Sequence, residues 1–100
     1  NVKFLVGQKK KYKKINIGNL KTNIANKKIN QIVNGNTNTV YINPLNSLRF
    51  VLNKVKKDKI NLNKDFLVFT GSTVGVVPIN SKGLYTGKID KLGSAKTIIN

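Results

Sequence analysis

The chain has 100 residues, 39% of them hydrophobic, and its 19 basic residues against three acidic ones give a formal net charge of +16. One small domain is expected over residues 1–100, and it should bury about 60–65% of its unfolded surface. The absence of Cys and His excludes a disulfide framework, a thiolate nucleophile and the usual nitrogen ligands of metals. No apolar run approaches the roughly 20 residues of a membrane span, so we predict a cytoplasmic protein without a membrane partner.

The first part of the chain predicts short strands. Residues 2–7 are rich in β-branched and aromatic side chains and stop at a Gly, which is typical of a strand. Two further strands, residues 20–25 and 29–33, flank residues 26–28, which begin with an Asn that tolerates positive φ. We therefore expect a hairpin there, followed by a short extended segment over residues 37–41.

A helix then begins with clear local signals. Asn43 is a favourable N-cap residue, and Pro44 suits the first helical position, where its missing N–H has no intrahelical partner to lose. Apolar residues recur at three- and four-residue spacing and form one face, so one main helix is predicted over about residues 44–57. The residues of this face are Leu45, Leu48, Leu52 and Val55.

The last part of the chain again predicts strands. Residues 66–70 are almost entirely apolar, which is typical of a strand covered on both faces. Residues 84–89 and 95–99 are expected to complete the sheet. The predicted fold class is therefore α+β and mostly β, a mixed β-sheet or roll with the one main helix.

The strong positive charge suggests a basic nucleic-acid-binding module. However, Arg49 is the only Arg among the 19 basic residues, and dedicated phosphate readers usually rely on the planar guanidinium of Arg. The densest run, residues 9–14, holds one aromatic residue and no pattern of stacking side chains, so we interpret it as a solvated loop. Weak, non-specific attraction to nucleic acid is still expected. A nucleic-acid-binding module and a non-catalytic structural subunit both stay open as alternatives.

Five sequence features follow one another between residues 17 and 100. They are the hairpin turn Asn26-Lys27-Lys28, the helix opening Asn43-Pro44-Leu45-Asn46-Ser47, the turn Asn63-Lys64-Asp65-Phe66, the triplet Thr70-Gly71-Ser72 and the closing turn Leu92-Gly93-Ser94. In this order they resemble the C-terminal part of the 2-keto-4-pentenoate hydratase group of the fumarylacetoacetate hydrolase superfamily. The chain departs from that pattern at Lys64, where the family has Gly, and at Asn43, where the family commonly has His.

The resemblance implies metal-assisted chemistry on 2-oxo acids, such as water addition to a 2-hydroxydienoate. It also implies that Thr70 and Ser72 hold the carboxylate or 2-oxo group of the substrate, while Gly71 lets the backbone turn and a ligand approach. The residues alone allow another interpretation. Thr70 would then satisfy only its own strand end, and Ser72 with Thr73 would form an ordinary turn capped by a side chain.

The carboxylates of this chemistry are missing from the sequence. Members of the family bind Mg²⁺ or Mn²⁺ through three carboxylates, upstream of the region that resembles this chain, whereas this chain has no Glu. Its three acids, Asp58, Asp65 and Asp90, lie in predicted turns, where Asp usually bonds its own backbone. We therefore predict no catalytic residue, no metal site and no cofactor in this chain.

These observations favour a C-terminal fragment, or a truncated relative, of a larger hydratase-like enzyme. Such a domain would contribute a substrate-carboxylate loop and be inactive alone. Its small-molecule partner would be a 2-oxo acid, and only within an intact parent enzyme. A homo-oligomer is also expected, because a piece of a larger sheet would expose strand edges and an apolar face.

Overall fold

The computed structural model describes residues 4–11 and 13–100 and forms a small α+β domain that is mostly β, as the sequence predicts. Its regular elements are β1 (Lys21–Asn26), β2 (Gln31–Asn36), α1 (Pro44–Lys57), β3 (Gly83–Ile89) and β4 (Gly93–Ile99). Single 3-10 turns follow the first two strands, over Lys27–Ile29 and Thr37–Thr39. None of the helices in the described residues has the length and hydrophobicity needed to cross a bilayer.

The four strands form one sheet in the order β2-β1-β3-β4, and every neighbouring pair is antiparallel. The predicted mixed sheet is therefore wrong for the described residues. The physical reason is that β1–β2 and β3–β4 are joined by tight turns, which require antiparallel pairing. The long connection between β2 and β3, which contains α1, then returns the chain so that β3 also runs opposite to β1.

The predicted hairpin between β1 and β2 is confirmed, and Asn26 holds its turn. The side-chain oxygen of Asn26 accepts a hydrogen bond from the Lys28 amide at 3.2 Å, and Asn30 adopts the left-handed conformation with φ of 53°. The amide nitrogen of Asn26 donates to the Lys82 carbonyl at 3.2 Å, and the residue is 1% exposed. A side chain that both donates and accepts therefore links the hairpin to the start of β3.

The second strand is longer than the sequence predicts, since it continues through Gly35 to Asn36. Asn36 then caps the turn Thr37–Thr39 by accepting a hydrogen bond from the Asn38 amide at 2.9 Å. The extended segment predicted over residues 37–41 is therefore wrong, because a local Asn cap bends the chain there.

The two faces of the sheet differ in how well they are covered. Directly paired residues lie on the same face, so Thr22, Asn26 and Tyr85 share one face, and all three are buried. We call it the covered face, and Leu20, Val40 and Thr37 are buried beside it. The opposite face, here called the open face, carries the exposed side chains of Ile32, Leu84 and Ile98.

The predicted helix is confirmed. The Asn43 side chain accepts a hydrogen bond from the Leu45 amide at 2.9 Å, and Pro44 occupies the first turn. No residue of α1 is buried, and the helix makes no extensive contact with a strand. An exposed ion pair joins the Lys54 ammonium to the Asp58 carboxylate at 3.2 Å near its end.

The strand predicted over residues 66–70 is absent from the structure. Phe66, Leu67 and Phe69 are 49–65% exposed, so the run lacks both the partner strand and the double cover that its composition suggested. Phe69 instead packs on Phe4, with ring centroids 4.6 Å apart. Of the strand predicted over residues 2–7, residues 2 and 3 lie outside the described residues, and residues 4–7 form no regular element.

Candidate functional site

The segment 71–74, here called the Gly71 loop, lies against β2 and the residues that follow it. A Cβ atom at Gly35 would collide with the carbonyl oxygen of Thr73, so only Gly lets the loop approach this closely. The Thr39 hydroxyl donates to the Asn36 carbonyl at 2.8 Å and also lies 3.3 Å from the Thr73 carbonyl oxygen. Gly71 itself has φ of +139°, and a Cβ there would lie 3.1 Å from Val40. The position of the loop thus depends on Gly at two separate points of the chain.

A groove of about 750 Å³ lies between the Gly71 loop, the sheet and residues 5–10. Its lining includes the hydroxyl-bearing residues Thr22, Ser72 and Thr73 and the basic residue Lys10, and it includes no acidic residue. Lys88 and Ser94 also border the groove, but the pairing register places their side chains on the opposite face of the sheet. A lining of this kind favours an anionic ligand over a cation.

Lys10 brings positive charge to the turn between β3 and β4. Its ammonium nitrogen lies 3.8 Å from the position that a Cβ of Gly93 would occupy. Gly7, three residues earlier, also lies close to this turn. The position that a Cβ of Gly7 would occupy is 3.2 Å from the Ser94 carbonyl oxygen. The sequence places Lys10 in a solvated basic run, and only the long-range packing of residues 7–10 on this turn brings it to the groove.

Thr22 is the buried polar residue of the groove. It is 4% exposed, and its hydroxyl oxygen has no hydrogen-bond partner in the part of the chain that the structure describes. Leaving a buried hydroxyl unpaired costs about 1–3 kcal/mol, so a partner for it would be stabilising. The oxygen itself has almost no accessible surface, so a ligand in the groove reaches it only if neighbouring side chains move. No motif in the sequence marks Thr22, because its burial follows from pairing with Gly35 on one side and Ile89 on the other.

The structure places the three residues predicted as a substrate loop in different settings. Gly71 and Ser72 line the groove, whereas Thr70 does not. The Ser72 hydroxyl donates to the Gly75 carbonyl at 2.6 Å and accepts from the Val74 amide at 3.3 Å. Its single proton is therefore used within the turn, which is the arrangement of a turn capped by a side chain. The assignment of Thr70, Gly71 and Ser72 to substrate binding stays a prediction.

Acidic residues take no part in this groove. Asp58 is paired with Lys54 at the end of α1. Across residues 4–11 and 13–100, no group of three or more His, Cys, Asp or Glu side chains is arranged to hold a metal ion. The groove therefore has the character of a binding surface without acid–base groups of the carboxylate type.

Comparison with known proteins adds no relative. No protein-family model, no curated protein and no solved structure matches the chain. The resemblance to hydratases of the fumarylacetoacetate hydrolase superfamily therefore rests on the five sequence features alone and stays a prediction.

Proposed function

We propose that the groove under the Gly71 loop binds a small carboxylate, specifically a 2-oxo acid. The observation that carries this proposal is the combination, in one acid-free groove, of the Lys10 ammonium at the Gly93 turn with the buried, unpartnered hydroxyl of Thr22. The ammonium attracts the carboxylate, and the hydroxyl is a neutral donor for an oxygen atom of the ligand. The resemblance to 2-oxo acid hydratases is consistent with this ligand class.

In the same proposal the chain is a hydratase-like binding domain that is inactive alone. An intact enzyme would supply Mg²⁺ or Mn²⁺ and the carboxylates that hold it from other residues, and the metal would polarise the 2-oxo group. The groove of this chain would orient the substrate carboxylate and keep it in place. Homo-oligomerisation belongs to this proposal as well, because the strand edges of β2 and β4 lie at the two ends of the sheet.

The binding test is a titration of the ¹⁵N-labelled chain with pyruvate, monitored by amide chemical shifts. We expect weak saturable binding, with a Kd on the order of 1 mM, or about −4 kcal/mol, and shifts at Thr22, Gly71 and Gly93. Methyl pyruvate, which lacks the negative charge, is the matched ligand control and should bind far more weakly. Equal binding of the ester, or shifts confined to other residues, would contradict the proposal.

Two variants separate a binding role from a structural one. Lys10→Gln should weaken pyruvate binding several-fold, whereas Lys64→Gln, in a different surface cavity, should leave it unchanged. Thr22→Val removes the hydroxyl at nearly constant volume, so it should also weaken binding while keeping or raising thermal stability, since it relieves an unpaired buried group. If Thr22→Val lowered the stability and left the affinity intact, Thr22 would have only a structural role.

The inactivity of the isolated chain has its own test. With added Mg²⁺ or Mn²⁺, the isolated chain should not hydrate a 2-hydroxydienoate. Loss of the ultraviolet absorbance of the dienoate would report the reaction. Measurable turnover that depends on the metal would refute this part of the proposal and leave the binding part standing.

A basic nucleic-acid-binding module is the second candidate, and the net charge of +16 is the observation that favours it. It requires binding in the micromolar range or tighter at physiological salt, with a log–log salt slope of about −0.7 to −0.9 per phosphate neutralised. Fluorescence anisotropy with a labelled oligonucleotide at several salt concentrations decides between the two candidates. Weak binding that is lost at physiological salt would exclude the nucleic-acid-binding module.

A further inference from the structure

The open face of the sheet combines apolar side chains with lysines. Ile32, Leu84 and Ile98 are 58%, 47% and 67% exposed, although β-strands normally turn such residues towards a core. The pairing register places Lys21, Lys88 and Lys96 on this same face. Such a sheet face is seldom left exposed to solvent. A cluster of large apolar residues on one surface is typical of an interaction site.

The centre of the open face is a shallow hollow of about 500 Å³. Its floor includes the small or apolar residues Ala25, Ile32, Leu84 and Thr86. Lysines line the hollow from the hairpin turn on one side and from β3 and β4 on the other, and no acidic residue does so. These lysines are Lys27, Lys28, Lys88 and Lys96. The hollow thus offers an apolar centre inside a ring of positive charge.

The chain exposes more surface than a compact protein of its mass. The chain exposes 8531 Å², whereas a compact protein of its 11.1 kDa mass exposes roughly 5,700 Å². The difference is larger than the surface of about 800 Å² that each protein contributes to a standard interface. The exposed side chains of Ile32, Leu84 and Ile98 contribute to this surface, together with the irregular residues 4–11 and most of residues 58–69.

From these observations we propose that the open face docks an amphipathic, acidic helix of another polypeptide. A helix that lays an apolar stripe on one face of an antiparallel sheet is one of the standard ways in which such a face is covered. The lysine ring then requires Asp or Glu on both flanks of that stripe. A second copy of this chain fits poorly, because two open faces would bring their lysines together. This inference goes beyond the proposed binding of a 2-oxo acid and does not depend on it.

The probe is a synthetic, fluorescein-labelled helical peptide of about 18 residues, which spans about 27 Å, with Leu along one face and Glu on both flanks. Fluorescence anisotropy against the full chain should give a Kd on the order of 10 μM at low salt and weaker binding as salt is added. Two control peptides keep the length and helicity. One replaces Glu by Lys and the other replaces Leu by Ser, and both should bind at least about tenfold more weakly.

Variants of the chain assign the binding to the open face. Leu84→Ser with Ile98→Ser should weaken peptide binding about tenfold or more, and Lys88→Gln with Lys96→Gln should weaken it and flatten its salt dependence. Val76→Ser is the matched control, because Val76 is 97% exposed and lies outside the sheet, and it should bind as the parent does. Amide spectra of each variant check that the sheet is intact.

Three outcomes overturn the proposal. The first is peptide binding no tighter than that of the Ser-substituted control. The second is self-association, measured by sedimentation, that Leu84→Ser with Ile98→Ser abolishes, since the face would then bind a second copy. The third is an oligonucleotide that binds more tightly than the peptide and competes with it for the same lysines.

Discussion

Gly35 lies inside β2, and the carbonyl group of Thr73 lies where its Cβ would be. We expect Gly35→Ala to destabilise the chain by about 1–3 kcal/mol, because the Gly71 loop must move away or the strand must distort. The matched control is Gly87→Ala in β3, on the same face, where a new Cβ would meet nothing within 4 Å. Thermal unfolding of the two variants and the parent measures the difference.

The Gly35→Ala variant also tests the groove. If it displaces the Gly71 loop, it should weaken pyruvate binding, whereas Lys64→Gln, outside the groove, should leave binding unchanged. Equal melting temperatures for Gly35→Ala and Gly87→Ala would show that the loop does not pack on β2 as described.

At the residue scale, the sequence predicts features that depend on near neighbours. Asn43 and Pro44 mark the start of α1 correctly, because capping is a contact between residues two or three apart. The role of Gly35 is missed, because the Thr73 carbonyl that requires Gly is 38 positions away. Lys10 and Thr22 escape prediction for the same reason, since each becomes part of the groove through contacts with distant segments.

At the element scale, α1 forms through local signals and gains little from packing. It has a capped start, lysines in its last turn and apolar residues at helical spacing, yet none of its residues is buried. Helices of this length are marginal in water without tertiary packing. We therefore infer that α1 opens more readily than the sheet.

Hydrogen exchange measures that difference. The amides of α1 should exchange with an opening free energy about 2 kcal/mol or more below that of β1 and β3, the two central strands. Asn43→Ala should reduce the protection of α1 further, by about 1 kcal/mol, and leave the two strands unchanged. Protection in α1 equal to that in β1 would mean that the helix is held by contacts stronger than those described.

Strands are harder to predict than helices, because a strand needs a hydrogen-bonding partner that can be distant in the sequence. The hairpin β1–β2 is predictable because its turn is local, and β3–β4 has a short turn as well. Residues 66–70 have the composition of a buried strand, but a strand also needs a hydrogen-bonding neighbour, and composition does not say whether one exists. The order β2-β1-β3-β4 depends on the pairing of β1 with β3, more than 50 residues apart.

At the scale of the whole molecule, the extended shape and the high net charge both reduce the stability of the fold. The radius of gyration is 15.3 Å, against about 13 Å for a compact chain of 100 residues. From its length, the chain is expected to bury about 60–65% of its unfolded surface, and 39% of its residues are hydrophobic. Many of those side chains are exposed in the structure, and composition alone does not show where they lie. A chain with so little buried surface has a small stability margin, and any repulsion between its charges reduces that margin further.

The net charge of +16 should make the stability of the chain depend on salt. Like charges on a compact chain repel one another more than they do on the expanded unfolded chain, and dissolved ions screen this repulsion. Raising NaCl from about 10 mM to 300 mM should therefore stabilise the fold by on the order of 1 kcal/mol, which corresponds to about 4–8 °C in Tm. KCl at the same ionic strength should have the same effect, because screening depends on ionic strength. An uncharged osmolyte cannot screen charges, so the salt effect should persist at a fixed sucrose concentration. A Tm that stays constant or falls as salt is added would mean that favourable ion pairs outweigh the repulsion among the lysines.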